Sequence, residues 1–187
     1  LFKERHLVLG VIAQFCYVAA QTGVFSYLIN FVTDVEQKVH FDVNNGPYFL
    51  SIGFALFMVG RMSGSYLMKF FKPTRLLALY ALMCCLLLPV VTANLGWISI
   101  IALYGIFFFM SIMFPTIFAL SIKDLGSKTK KASSYLIMSI VGGAVFPMLM
   151  GFIADVTHSI AIGFLVPIPL FLYIVYYAVS GHRVIRD

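Results

Sequence analysis

Gln14, Tyr17 and Gln21 stand at i, i+3 and i+7 in an apolar stretch. On a helix of 3.6 residues per turn they fall within about 60° of one another. Phe25 continues the stripe. Amides and a phenol supply donors and acceptors without net charge. Beside aromatic faces, these are the groups that the hydroxyls and ring of a sugar would need. The same glutamines can instead hydrogen-bond neighbouring helices, worth about 0.6 kcal/mol each inside a membrane. Spacing alone leaves both readings open.

Three further motifs could move or pack a helix. Phe107, Phe108, Phe109, Phe114 and Phe118 surround Pro115. A proline inside a span removes a backbone donor and should kink the helix at Pro115. Kinked helices often border transport pathways, and an aromatic, lipid-facing surface with a tolerated proline is the alternative. Gly60-Arg61-Met62-Ser63-Gly64, and Gly142-Gly143 with Pro147, permit close helix contact. Arg61 is the one charged residue placed inside a span, about two turns from its end, where it can snorkel or pair at the edge. A structural or gating role suits it better than direct ligand contact.

Carboxylates are missing from the interior of the chain. Asp34, Glu36, Asp42, Asp124 and Asp155 fall in loops or at helix ends, and so do His6, His40, His158 and His182. Charged residues in mid-membrane are costly and usually mark function. No residue here could take up and release a proton at the bilayer centre. No Ser/His/Asp, metal-ligand or nucleotide-binding pattern appears, so enzyme chemistry is not expected. Cys16, Cys84 and Cys85 read as packing residues.

The elements that position these residues follow from composition. The chain is 61% apolar and 11% charged, against about 45–50% and 25% in soluble domains. It cannot supply a polar shell. All thirteen Lys and Arg except Lys38 fall in four clusters: Lys3/Arg5, Arg61/Lys69/Lys72/Arg75, Lys123/Lys128/Lys130/Lys131 and Arg183/Arg186. Each apolar stretch between clusters is long enough to cross a bilayer twice. A span needs about 20 residues, and six are expected: 7–32, 47–70, 74–92, 96–122, 132–154 and 159–180. Asn44-Asn45-Gly46-Pro47, Lys72-Pro73-Thr74, Asn94-Leu95-Gly96, Asp124-Leu125-Gly126-Ser127 and Asp155-Val156-Thr157-His158 separate them. The loop from 33 to 46 is the first external connection.

Cytoplasmic loops collect Lys and Arg. Both ends of the segment are therefore expected on the cytoplasmic side. The net charge of +6 reads as membrane-edge anchoring rather than nucleic-acid binding. Leu1 in place of a start Met, followed by Lys3, Glu4 and Arg5, reads as a piece of something longer.

The residues resemble the C-terminal half of a fucose:proton symporter type sugar permease, within the major facilitator superfamily. The resemblance covers nearly the whole chain. It is carried by Ala13-Gln14-Phe15-Cys16-Tyr17-Val18 with Gln21-Thr22, Ser26-Tyr27-Leu28-Ile29, Gly60-Arg61 with Gly64, and Ser111-Ile112 before Pro115-Thr116-Ile117-Phe118. Asp124-Leu125-Gly126, Thr129-Lys130, Ser133-Ser134, Gly142-Gly143 and Met150-Gly151-Phe152 complete it.

The resemblance implies an all-α integral membrane domain spanning 1–187. Its six spans would form two inverted three-helix repeats, half of a twelve-span fold. In this superfamily the first and fourth helices of each half line the cavity. Gln14, Tyr17, Gln21, Phe25 and Phe114 would then form the substrate wall. Pro115, Arg61, Gly60 and Gly64 would serve kinking and gating. The partner would be an N-terminal six-helix half, in a bacterial inner membrane. No cofactor is implied beyond a proton as coupling ion, held by carboxylates in that other half. The fucose permease pattern has a tyrosine before the fourth-helix proline where this chain has Phe114, so hexose is a safer class than fucose. A six-span facilitator or channel working as a homodimer is the alternative, followed by a membrane scaffold or enzyme subunit.

Overall fold

The computed structural model describes residues 4–39 and 46–182. Every regular element among them is helical. Six helical stretches are long and apolar enough to cross a membrane: Arg5–Glu36, Pro47–Leu67, Pro73–Thr92, Trp97–Ser121, Gly126–Thr157 and Ile160–Gly181. We number the helices in chain order. The first three spans are single helices: α1 (Arg5–Val39), α2 (Gly46–Leu67) and α3 (Pro73–Thr92). The fourth divides into α4 (Trp97–Met110) and α5 (Met113–Ser121). The fifth divides into α6 (Thr129–Met138) and α7 (Gly142–Thr157), and the sixth into α8 (Ile160–Gly163) and α9 (Pro167–Tyr176).

The interruptions have local causes. Pro115 has no N–H for the carbonyl four residues back, and its ring crowds that carbonyl. The fourth span accordingly breaks at Ser111-Ile112, one turn before Pro115 rather than at the proline itself. A 3₁₀ turn over Ser139–Val141 interrupts the fifth span just before Gly142-Gly143. Pro167 opens α9, and a π-helical turn over Tyr177–Gly181 ends the sixth span.

Several boundaries differ from the sequence expectation. α1 runs on to Val39 instead of ending at 32, because no Pro or Gly stops it. Asp34 and Glu36 therefore ride on the helix, and Asn94 Nδ2 donates to Asp34 Oδ2 at 3.1 Å. α2 ends at Leu67, ahead of the expected 70, in hydrogen-bonded turns leading to Pro73. The fifth span begins at Gly126 rather than 132, so Lys130 and Lys131 sit on α6. Lys3, Lys38 as a side chain, His40, Asp42, Asn44, Asn45, Arg183 and Arg186 lie outside the described residues.

Among the described residues, Lys and Arg other than Lys38 gather at one end of the bundle. Lys128 Nζ meets Glu4 at 3.0 Å, joining the start of span 5 to the start of span 1. The ring of His6, buried, lies 3.1 Å from the Lys123 carbonyl at the end of span 4. Lys72, Lys123 and His182 share one cavity, which adds the span 2–3 turn and the end of span 6. Asn94 and Asp34 mark the opposite end. Three crossings bring the chain to the far side, so spans 4–6 run in the opposite sense to spans 1–3, as inverted three-helix repeats do.

α1 occupies the centre, packed on α5, α7 and α9, while α3 packs on α4 and α9. Tyr17, Phe31, Phe107, Phe164, Phe171 and Tyr177 fill the core. Burial is uneven: 61% of the most apolar stretch of span 1 is buried, but 17% of span 2 and 22% of span 5. Those two spans present apolar surface outward.

Candidate functional site

A helix interrupted in mid-span exposes backbone carbonyls that the bilayer cannot satisfy. The break in the fourth span is supplied by side chains. Tyr17 Oη, on α1, donates to the Met110 carbonyl at 3.0 Å. Arg61 Nε, on α2, donates to the Ser111 carbonyl at 3.2 Å. That carbonyl is the one Pro115 cannot serve. Ser111 Oγ donates back to Phe108, and Thr116 Oγ to Ile112. Four carbonyls around the break are thus accounted for by polar groups from three spans.

Glycines bring α2 close enough for this. A Cβ at Gly60 would strike the Phe108 carbonyl and come within 2.7 Å of Ser111 Oγ. One at Gly64 would strike Ile112 Cγ2. Gly142 does the same for α7 against α1, where a Cβ would lie 2.7 Å from the Phe15 carbonyl. The small-residue motifs are packing devices here, and Gly60 and Gly64 pack on the break itself.

The stripe on α1 meets the fourth span along its length. Tyr17 is fully buried, with its ring edge-on to Phe114 at 6.1 Å between centroids. Phe114 continues into Phe118 at 6.5 Å. Phe25 stacks on Phe107 with centroids 4.3 Å apart and planes 3° from parallel. Phe54 and Phe57 of α2 close on Phe25 edge-on. The Arg61 guanidinium lies 5.4 Å over the Phe57 ring. Gln14 is fully buried, and neither amide atom has a partner among the described residues. Gln21 is half-buried, as are Phe25 and Phe114, and Pro115 is exposed.

The nine residues expected to form the substrate wall or to serve kinking and gating all lie on α1, α2 and the fourth span. The structure brings Tyr17 to Phe114, and Arg61 with Gly60 and Gly64 to the break. It commits the Tyr17 hydroxyl to a backbone carbonyl. Phe54 and Phe57 were missed, because a helix rich in Phe and Met gives no periodic sign of which ring turns inward. Ser111 had a signal in the sequence: it stands four residues before a proline.

No family model matches the chain. Over 95% of its length it is 38% identical to the L-fucose-proton symporter of Escherichia coli, covering 40% of that protein. Over 97% it is 37% identical to a glucose/galactose transporter of Brucella abortus, covering 44%. A crystal structure of the Escherichia coli fucose:proton symporter superposes with a TM-score of 0.86 at 37% identity, over 95% of this chain and 43% of that one. The chain spans less than half the length of the curated relatives it matches. In sequence and in fold the chain matches the C-terminal half of fucose:proton symporter type sugar permeases, which are major facilitator superfamily proteins.

Proposed function

We propose that the chain supplies one six-span half of a secondary active transporter. The whole protein moves a hexose, such as fucose, galactose or glucose, together with a proton by alternating access. The observation that carries this reading is the identity of 34–38% to transporters named for fucose or for glucose and galactose, sustained over 95–98% of this chain. Gln14, Gln21, Phe25 and Phe114 form the uncharged, partly aromatic wall of the sugar site. Tyr17 shapes that wall from behind while its hydroxyl holds the break.

The proton is carried elsewhere. No Asp or Glu occurs between Asp42 and Asp124, and among the described residues Glu4, Asp34, Glu36, Asp124 and Asp155 stand near helix ends or in connections. Coupling carboxylates therefore belong to an N-terminal six-helix half, which also covers the sparsely buried spans 2 and 5. The basic end faces the cytoplasm of a bacterium, with the protein in its inner membrane.

A competition panel on the complete transporter in vesicles tests the reading. Under an imposed inward proton gradient, L-fucose, D-galactose or D-glucose should accumulate, and collapsing the gradient should abolish it. Failure of all three refutes the sugar assignment. The six-span segment alone should accumulate none of them, whereas accumulation by it would point to a self-sufficient homodimer.

A further inference from the structure

A cavity of about 640 Å³ opens at the basic end of the bundle, between the end of α2 and the start of α3. These two helices are joined by a tight turn, yet they do not pack on each other; each leans on α4. The gap is floored by Met68, Ile112, Pro115, Ala119 and Leu120. Its titratable groups Lys72, Lys123 and His182 sit with Thr74 toward the basic end, while Ser65 and Thr116 lie deeper among the apolar side chains. No carboxylate lines it among the described residues. His182 Nδ1 is buried within the structure and has no hydrogen-bond partner among the described residues. Arg75 and His182 line an adjoining cleft.

An apolar floor beneath a basic edge matches one chemistry, an acyl chain carrying a phosphate headgroup. We infer that this cavity is a binding site for an anionic phospholipid. Lys72 and Lys123 engage the phosphate, the His182 imidazole and Thr74 hydroxyl hydrogen-bond it, and an acyl chain lies along Met68, Ile112 and Leu120. A free phosphate would use the basic edge but leave the floor unfilled, so lipid is the occupant. Basic pockets between membrane helices are known to take such headgroups.

The site reaches the fourth-span break from the side opposite the stripe. Ile112, Pro115 and Thr116 line the cavity, while Ser111 is held by Arg61 on α2. A lipid lodged there wedges α2 from α3 and braces the break. Occupancy should therefore favour one arrangement of α2 against α4, whatever the transported substrate is.

The test is lipid retention by the complete transporter, read by native mass spectrometry after extraction in mild detergent. Phosphatidylglycerol should be retained over phosphatidylethanolamine. Each lysine near an anionic lipid surface is worth about a fivefold change in affinity, so Lys72→Gln with Lys123→Gln should lower phosphatidylglycerol retention by more than about tenfold. Lys130→Gln with Lys131→Gln, on α6 away from the cavity, should leave it unchanged. Inorganic phosphate should not displace the lipid.

Equal retention of the two lipids by the unmodified protein would overturn the proposal, and that comparison needs no variant. Equal loss in the two double variants would also overturn it, as would displacement by phosphate, which would mark a free-anion site. None of these readouts depends on uptake, so the sugar assignment can fail while the lipid site stands.

Discussion

Tyr17 and Arg61 donate to consecutive backbone carbonyls from two different helices. The Tyr17 hydroxyl serves Met110 at 3.0 Å, and Arg61 Nε serves Ser111 at 3.2 Å. The break in the fourth span is thus fastened to α1 on one side and to α2 on the other. A buried carbonyl stripped of its donor costs about 1–3 kcal/mol. Tyr17→Phe keeps the ring contact with Phe114 and removes only the hydroxyl. It should lower the melting temperature of the purified transporter by several degrees. An unchanged melting temperature would show that the Met110 carbonyl finds another donor.

Arg61 is exposed on its outer side, so its loss should weigh on motion more than on stability. Mutations along a coupling element shift coupling by about 0.5–2 kcal/mol. Under the proposed function, Arg61→Gln should slow uptake by a few-fold or more while equilibrium sugar affinity stays within about twofold, a rate effect with binding preserved. An affinity loss equal to the rate loss would instead put Arg61 in the sugar site.

Gln14 separates stability from binding. Its amide is buried and unpartnered, and replacing such a group by an apolar one of similar shape is often neutral or stabilising. Gln14→Leu should therefore melt no lower than the parent. Under the proposed function it should also weaken sugar binding by about 1–2 kcal/mol, roughly five- to thirtyfold in Kd, as should Gln21→Ala. Titration of sugar into both variants by calorimetry decides; unchanged affinity in both removes the stripe from the site.

Gly60 tests the packing of α2 on the break. Gly60→Ala drives a methyl group into the Phe108 carbonyl and Ser111 Oγ. Overpacking of this kind costs about 1–3 kcal/mol. Leu79→Ala, at an exposed position on α3, should change stability by less than about 0.5 kcal/mol. Comparable melting losses in both variants would mean that the α2–α4 contact is not tight.

Acid should loosen the start of α1. A hydrogen bond from Lys128, and then its charge, hold the Glu4 carboxyl below its ordinary value. A depressed carboxylate stabilises the folded state above its unfolded pKa and loses that contribution as pH falls through the folded value. The melting temperature of the parent should therefore fall more steeply than that of Glu4→Gln below about pH 4.5. Parallel curves would show that the exposed pair contributes nothing.

The six spans, the basic end and the fourth-span kink are legible in the residues, because hydrophobic length, Lys and Arg placement and proline chemistry are local signals. The partners are not. Tyr17 finds Met110 across 93 positions, and Phe25 stacks on Phe107 from among nineteen phenylalanines in the chain. Ring placement of that kind is decided by helix rotation, which a uniformly apolar sequence leaves unmarked. Asp34 and Glu36 look like loop residues by charge, yet they lie on α1, since polar side chains alone do not end a helix that meets no Gly or Pro between 32 and 39. The position of the break relative to Pro115 was recoverable from the four-residue reach of the helical hydrogen bond.

Neither piece of the fourth span can cross a bilayer by itself: α4 has 14 residues and α5 has 9. During synthesis the two must enter the lipid as a unit, with the Met110 and Ser111 carbonyls bare. Each unmet backbone group in hydrocarbon costs several kcal/mol. Their donors, Tyr17 and Arg61, belong to helices made earlier in the chain. The second repeat therefore depends on the first being in place, and biogenesis of this bundle should run in one direction, with the earlier helices acting as an internal chaperone for the fourth.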